Sequence, residues 1–137
     1  MIETMSNVQL KTDSFSSAGL SKGIHILADM YDVSAGRHEM LNAESLQDFS
    51  KAAVKDADLT EVGVSFVQFP DAGVTGVVLL AESHIAIHTW PEKDYITLDV
   101  FVCNVSQDNT GKARKLYKAF EGLFQPGHVS YQEVERE

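Results

Sequence analysis

Four consecutive strand-like segments joined by short turns constrain the fold of this chain more than any other feature. The four segments are residues 62–69, 74–81, 84–90 and 95–103. Residues 74–81 form a short, β-branched apolar run, and apolar and polar residues alternate in the other three segments. Residues 70–73 and 91–94 are rich in turn-forming Pro, Gly and Asp. Because strands that follow one another through tight turns run antiparallel, this stretch predicts an antiparallel sheet.

Two helices and two further strands complete the predicted fold. Apolar residues recur at three- and four-residue steps in both predicted helices, as one buried helix face requires. The predicted elements are a first strand over 23–31, a helix within 38–58, a second helix over 110–124 and a last strand over 128–134. Asn42 or Ser45 is expected to cap the first helix. The pattern predicts an α+β two-layer sandwich, a mainly antiparallel sheet with both helices on one face.

Length and composition favour one intracellular domain. Residues 1–20 are polar, rich in Ser and Thr and without periodicity, so we expect a flexible tail before a single domain over 21–137. A net charge of −9 disfavours nucleic acid as a partner. Cys103 is the only cysteine, which excludes an internal disulfide and a four-cysteine zinc site. No apolar run is long enough for a membrane span, and we expect a cytoplasmic protein.

Residues 73–103 carry the strongest functional signal. An apolar strand flanked by glycines leads into Glu82-Ser83-His84, His88 follows the serine by five residues, and Cys103 follows it by twenty. Trp90-Pro91-Glu92 lies between them. This combination resembles the prokaryotic, pyruvoyl-dependent S-adenosylmethionine decarboxylase proenzymes, and weaker similarity extends over most of the chain after the tail. The resemblance implies a lyase of polyamine (spermidine) biosynthesis.

The Glu82–Ser83 peptide bond is the expected site of self-cleavage. A serine hydroxyl held against the preceding carbonyl can attack it and form an ester. Removal of the serine α-proton then cuts the chain by β-elimination and leaves dehydroalanine, which hydrolyses to a pyruvoyl group with loss of ammonia. The resemblance implies that Ser83 is the cofactor precursor and that His88 assists processing as a proton acceptor. The products would be chains 1–82 and 83–137.

The same resemblance assigns roles in turnover. Decarboxylation needs an electron sink that ordinary side chains lack, and a Schiff base to the pyruvoyl ketone provides it. The resemblance implies that Cys103 donates the proton to the product carbon and that Glu92 binds the ribose hydroxyls of S-adenosylmethionine. It also implies an adenine-stacking aromatic near Phe69, with Phe66 as the competing candidate by register. A homodimer of processed protomers, with sites at the interface, is implied as well.

One residue departs from the family pattern. Members commonly have Gly-Val-Ser-Gly before the cleavage site, where this chain has Thr75 in place of the serine. Thr75 keeps the hydroxyl, so we expect it to support processing, with its extra methyl group altering the rate without abolishing it.

Alternative interpretations remain open at this stage. His84 and His88 would suit zinc on a helix, but on a strand they lie about 13 Å apart, and we expect no metal site. The same fold and cofactor could act on ornithine or arginine, because fold does not fix substrate. An unprocessed regulatory homologue is a third alternative, which the joint presence of Ser83, His88 and Cys103 disfavours.

Overall fold

The computed structural model describes residues 23–104 and 107–137, which form one six-stranded antiparallel sheet and three helices. The predicted tail, residues 1–20, lies outside the described residues. The order of the strands across the sheet is β2-β3-β4-β5-β1-β6. The strands are β1 (Gly23–Val33), β2 (Glu61–Gln68), β3 (Val74–Leu80), β4 (Ser83–Trp90), β5 (Tyr95–Cys103) and β6 (Pro126–Arg136). All five strand pairings are antiparallel, and the three among β2, β3, β4 and β5 were predicted from the tight turns.

The first predicted helix is divided in two. The structure has a one-turn helix α1 (Arg37–Leu41), a longer helix α2 (Ala43–Asp56) and, near the end of the chain, α3 (Thr110–Phe124). Asn42 separates the first two because its backbone is extended, with φ −132° and ψ 111°. Its side chain accepts a hydrogen bond from the backbone N–H of Ser45 at 2.9 Å, which confirms Asn42 as the N-cap.

One face of the sheet and the helices enclose the core. Alternate residues of β1, β4 and β5 are buried and pack with the apolar stripes of α2 and α3; Ile26, Ile85 and Val100 are at most 1% exposed. Phe120 and Phe124 of α3 are fully buried in the same core. The helices therefore cover one side of the sheet, and the predicted α+β sandwich is confirmed.

The opposite face of the sheet is not covered by any described element of this chain. We call it the open face. It carries the other alternate residues of each strand, which are partly exposed. Leu79 and Val67 are each 48% exposed, and Tyr31 is 37% exposed. In the described ranges no helix has the length and apolar character to span a membrane.

Candidate active site

The Glu82–Ser83 peptide bond lies at the tip of the β3–β4 hairpin. Leu80 pairs with Ser83, so only Ala81 and Glu82 form the turn, and both are exposed. Ser83 lies two residues before buried Ile85 on the same strand, so its side chain points to the helix side of the sheet. There it lines a cleft of about 160 Å³ together with Asn109 and Lys112 of the α3 region.

Cys103 lies at the same end of the sheet as Ser83. His84 pairs with Phe101, so Ser83 continues the register toward Val102, next to Cys103. Neighbouring strands and residue spacing place the Cα atoms of Ser83 and Cys103 about 6 Å apart. The carbonyl of Cys103 accepts a hydrogen bond from Asn109 Nδ2 at 2.9 Å, which anchors the end of β5 to the start of α3. Sequence analysis missed this buried asparagine, whose Oδ1 has no partner among the described residues.

Thr75 and His88 form a direct pair on the open face. They are register partners on β3 and β4, and Thr75 Oγ1 lies 3.0 Å from His88 Nδ1. The ring of His88 also contacts Trp90, with the ring centroids 5.8 Å apart. Trp90 contacts Tyr95, and Tyr95 contacts Tyr31, at 5.3 Å and 5.1 Å respectively. The hydroxyl and the indole ring thus hold the imidazole in one orientation.

Thr89, which follows His88 on β4 and is buried, fixes the register of β3 and β4. Its buried hydroxyl donates to the carbonyl of Met40 and accepts from the backbone N–H of Val74, both at 2.8 Å. Gly73 permits this contact, since a Cβ atom there would lie 1.9 Å from the carbonyl oxygen of Thr89. Neither feature was predicted from the sequence, because the bonds join three elements.

Phe69 and Glu92 lie at the same end of the sheet as Thr75 and His88. Phe69 follows β2 in the turn to β3 and is 45% exposed. Glu92 is exposed in a single 3₁₀ turn, Pro91–Lys93, between β4 and β5. The competing aromatic, Phe66, packs instead against Gly76 and the core on the helix side.

The predicted site residues therefore fall into two groups at opposite ends of β4. Ser83 and Cys103 lie at one end, and Thr75, His88 and Glu92 lie at the other. Five residues of extended strand separate Ser83 from His88, a distance of about 17 Å. Within a single uncleaved chain, the structure does not bring these two groups together.

Two carboxylates occupy the middle of the open face. Asp29 on β1 and Asp99 on β5 are diagonal neighbours in the register. Partial burial, and then repulsion from Asp99, raise the pKa of Asp29 above its usual value. Burial, followed by the charge of Asp29, raises the pKa of Tyr95 to about 12. In the described residues no group of three or more His, Cys, Asp or Glu could hold a metal ion.

Comparisons with known proteins point to one family. Residues 24–137 match the family described as S-adenosylmethionine decarboxylase. The chain is 44% identical over 99 residues to the S-adenosylmethionine decarboxylase proenzyme of Aquifex aeolicus, an alignment that covers 72% of this chain and 67% of that protein. The proenzyme of Archaeoglobus fulgidus is 38% identical over 115 residues, with 83% and 96% covered. A crystal structure of the Aquifex aeolicus adenosylmethionine decarboxylase superposes with a TM-score of 0.76 at 38% identity, covering 85% of this chain and 91% of that one.

Proposed function

This chain belongs to the S-adenosylmethionine decarboxylase family, and on that premise we propose that it cleaves itself between Glu82 and Ser83 and decarboxylates S-adenosylmethionine. The cofactor would be a pyruvoyl group formed from Ser83. The observation that carries the proposal is the position of the Glu82–Ser83 bond, at an exposed two-residue turn one register step from Cys103. The product would serve polyamine biosynthesis.

The surroundings of Ser83 fit such a group. Ser83 begins β4, and its neighbours Ala81 and Glu82 are exposed, so a break there would remove only the covalent link across the turn. Residue 83 would stay in the sheet through the pairing of His84 with Phe101. When present, a pyruvoyl group supplies an electron sink for the electron pair left by departing carbon dioxide.

The two chains expected from cleavage are interleaved in one sheet. Chain 1–82 would contain β1, β2 and β3, and chain 83–137 would contain β4, β5 and β6. The sheet order places β1 between β5 and β6, and β4 beside β3. Because three strand interfaces join the two chains, cleavage should leave the fold intact.

Each residue near the proposed reaction is assigned the role that the family resemblance implies. His88, held by Thr75, would accept the α-proton of Ser83 during self-cleavage. Cys103 would donate the proton to the product carbon, because it lies beside residue 83 on the neighbouring strand. Glu92 and Phe69 would bind the ribose and the adenine, for which a carboxylate and an exposed aromatic face are suited.

A homodimer would bring the two groups of residues together. The open face carries His88, Cys103 and partly exposed apolar side chains such as Leu79, and no described element of the chain covers it. A second copy, packed face to face, would cover this apolar surface. A twofold axis between the two sheets, perpendicular to the strands and level with the middle of β4, would make the strands of the partner sheet run in the reverse direction. The exposed turn that carries the Glu82–Ser83 bond, and Cys103 on the open face, would then lie opposite the partner's His88 and the partner's Glu92.

Co-expression of two inactive variants tests the proposed cleavage and the shared site together. His88→Ala alone and Ser83→Ala alone should remain uncut. In a mixed dimer, the bond in the His88→Ala subunit would face the intact partner's His88, so this subunit should be cut into 1–82 and 83–137. A double variant, Ser83→Ala with His88→Ala, is the matched control and should not rescue cleavage. Absence of cleavage in the mixed dimer would reject the shared site.

Wild-type protein separates the alternative functions. An unprocessed regulatory homologue would migrate as one intact chain. A cleaved protein that releases carbon dioxide from ornithine or arginine, and not from S-adenosylmethionine, would have the cofactor but another substrate. Exposed Glu92 favours the nucleoside substrate, since a plain amino acid has no ribose for it to bind.

A further inference from the structure

Arg136 is a cation with no carboxylate partner among the described residues of a strongly acidic chain. The sequence has three arginines, all within the described residues. Arg37 pairs with Asp94 and Arg114 pairs with Glu133, both at 2.8 Å. Arg136 forms no ion pair with a carboxylate of the described residues, although the chain has 20 acidic side chains. A guanidinium without a carboxylate partner keeps N–H donors available for an external anion.

Gly23 lets this guanidinium approach the Cys103 end of the site. Gly23 pairs with Arg136 on one side and with Cys103 on the other. Because Gly23 has no side chain, the side chain of Arg136 can cross β1, and its guanidinium lies 4.8 Å from the ring centroid of Phe101. A Cβ atom at Gly23 would come within 2.9 Å of that ring.

His25 lies against the same guanidinium and accepts a hydrogen bond from it. Arg136 Nη1 lies 3.2 Å from His25 Nδ1, and because a guanidinium can only donate, Nδ1 must accept. The proton of the neutral ring is therefore on Nε2, which is buried and has no hydrogen-bond partner in the described part of the chain. Burial lowers the pKa of His25. The charge of Asp99 raises this pKa in part, and the charge of Arg136 lowers it further. The nearest carboxylate, Asp99 Oδ1, is 3.8 Å from Nε2, too far for a hydrogen bond.

We propose that Arg136, held in place by His25, binds the α-carboxylate of the substrate beside Cys103. This inference rests on the proposed decarboxylase function. The substrate amine would react at residue 83, and its carboxylate is attached to the adjacent carbon. Ser83 precedes His84, which pairs with Phe101, so the guanidinium over the Phe101 ring lies one strand away from residue 83, on the open face of the sheet. Arg136 would orient the carboxylate, and the hydrogen bond to His25 Nδ1 would hold the guanidinium in place.

The site would also favour the exchange of product for substrate. Loss of carbon dioxide removes the α-carboxylate that Arg136 would bind. The product therefore keeps its adenosyl and amine contacts but loses the contact with Arg136. The affinity for substrate should therefore depend on Arg136, whereas the affinity for product should not. A structural role for Arg136 would change both affinities.

Binding and kinetics of processed full-length variants test the proposal. For Arg136→Met, KM for S-adenosylmethionine should rise about tenfold or more, while the Kd of the decarboxylated product, measured by calorimetry, should stay within about twofold of wild type. Arg136→Lys should raise KM less than Arg136→Met does, because it keeps the charge. His25→Phe should also raise KM. Arg114→Met, which removes an arginine on the helix side, is the matched control and should leave KM unchanged.

Two results would overturn the inference. One is an Arg136→Met protein with unchanged KM, and the other is a parallel rise in substrate KM and product Kd. Failure of the proposed function would look different, because the wild-type chain would then be uncut or would not act on S-adenosylmethionine at all.

Discussion

The hydroxyl of Thr75 lies 3.0 Å from Nδ1 of His88, across the β3–β4 hairpin and on the open face of the sheet. The contact fixes the ring of His88 and leaves Nε2 as the nitrogen available for proton transfer. Both residues are register partners, so the pairing of the strands, and not a flexible loop, sets their separation. If His88 is the base of self-cleavage, Thr75 positions it.

Removal of the Thr75 hydroxyl should slow self-cleavage. Thr75→Val keeps the β-branched shape but loses the hydrogen bond, so the cleavage rate should fall about tenfold or more, at roughly 1.4 kcal/mol per tenfold. Thr75→Ser should cleave at a rate close to that of the wild type or faster, because it keeps the hydroxyl and lacks the methyl group. The rate is read from the appearance of chain 83–137 on denaturing gels.

Thr97 provides a matched control for this experiment. It is the register partner of His88 on the other side, in β5, and it also lies on the open face. Thr97→Val should leave the cleavage rate unchanged. Equal rates for Thr75→Val and the wild type would remove Thr75 from the processing mechanism.

Loss of the Cys103 thiol should separate cleavage from turnover. Cys103→Ala should still yield chains 1–82 and 83–137, because the cysteine is proposed to act only after the cofactor exists. Its kcat for carbon dioxide release should fall about 100-fold or more, or the product should be protonated at the wrong carbon, as expected when a general acid is removed. Turnover close to that of the wild type, with the normal product, would exclude Cys103 as the proton donor.

Glu92 should govern the use of substrate without affecting cleavage. Glu92→Gln weakens charge-assisted hydrogen bonds worth about 1.5–3 kcal/mol each, so kcat/KM should fall by roughly one to three orders of magnitude. Self-cleavage should continue. Glu44→Gln, at an exposed position in the first turn of α2, is the control and should have no effect. An unchanged kcat/KM in Glu92→Gln would disprove the ribose contact.

Local patterns were sufficient to predict most of the fold. Three alternating segments and one β-branched apolar run between residues 62 and 103 predicted four antiparallel strands, because each follows its neighbour through a short turn. The division of the first helix was not predicted, since the extended backbone of Asn42 is compatible with the apolar stripe on either side of it. Asn42 was nevertheless a correct candidate for the N-cap.

Contacts between distant parts of the chain could not be predicted. β1 lies between β5 and β6, and only this order places Arg136 across Gly23 from Cys103. His25 was therefore assigned no role from the sequence. Similarly, sequence spacing groups Ser83 with His88, but extended strand geometry separates them by about 17 Å, so a shared site needs the second protomer.

Mass spectrometry of the purified wild-type chain, combined with a denaturing gel, tests the central claim most directly. We expect two chains with the masses of residues 1–82 and 83–137, the second with a pyruvoyl group at its start. Reduction with cyanoborohydride in the presence of S-adenosylmethionine should attach substrate to that chain. Ser83→Ala should give one intact chain. A wild-type protein that remains a single chain of 137 residues, or a Ser83→Ala protein that is still cut after Glu82, would contradict the account.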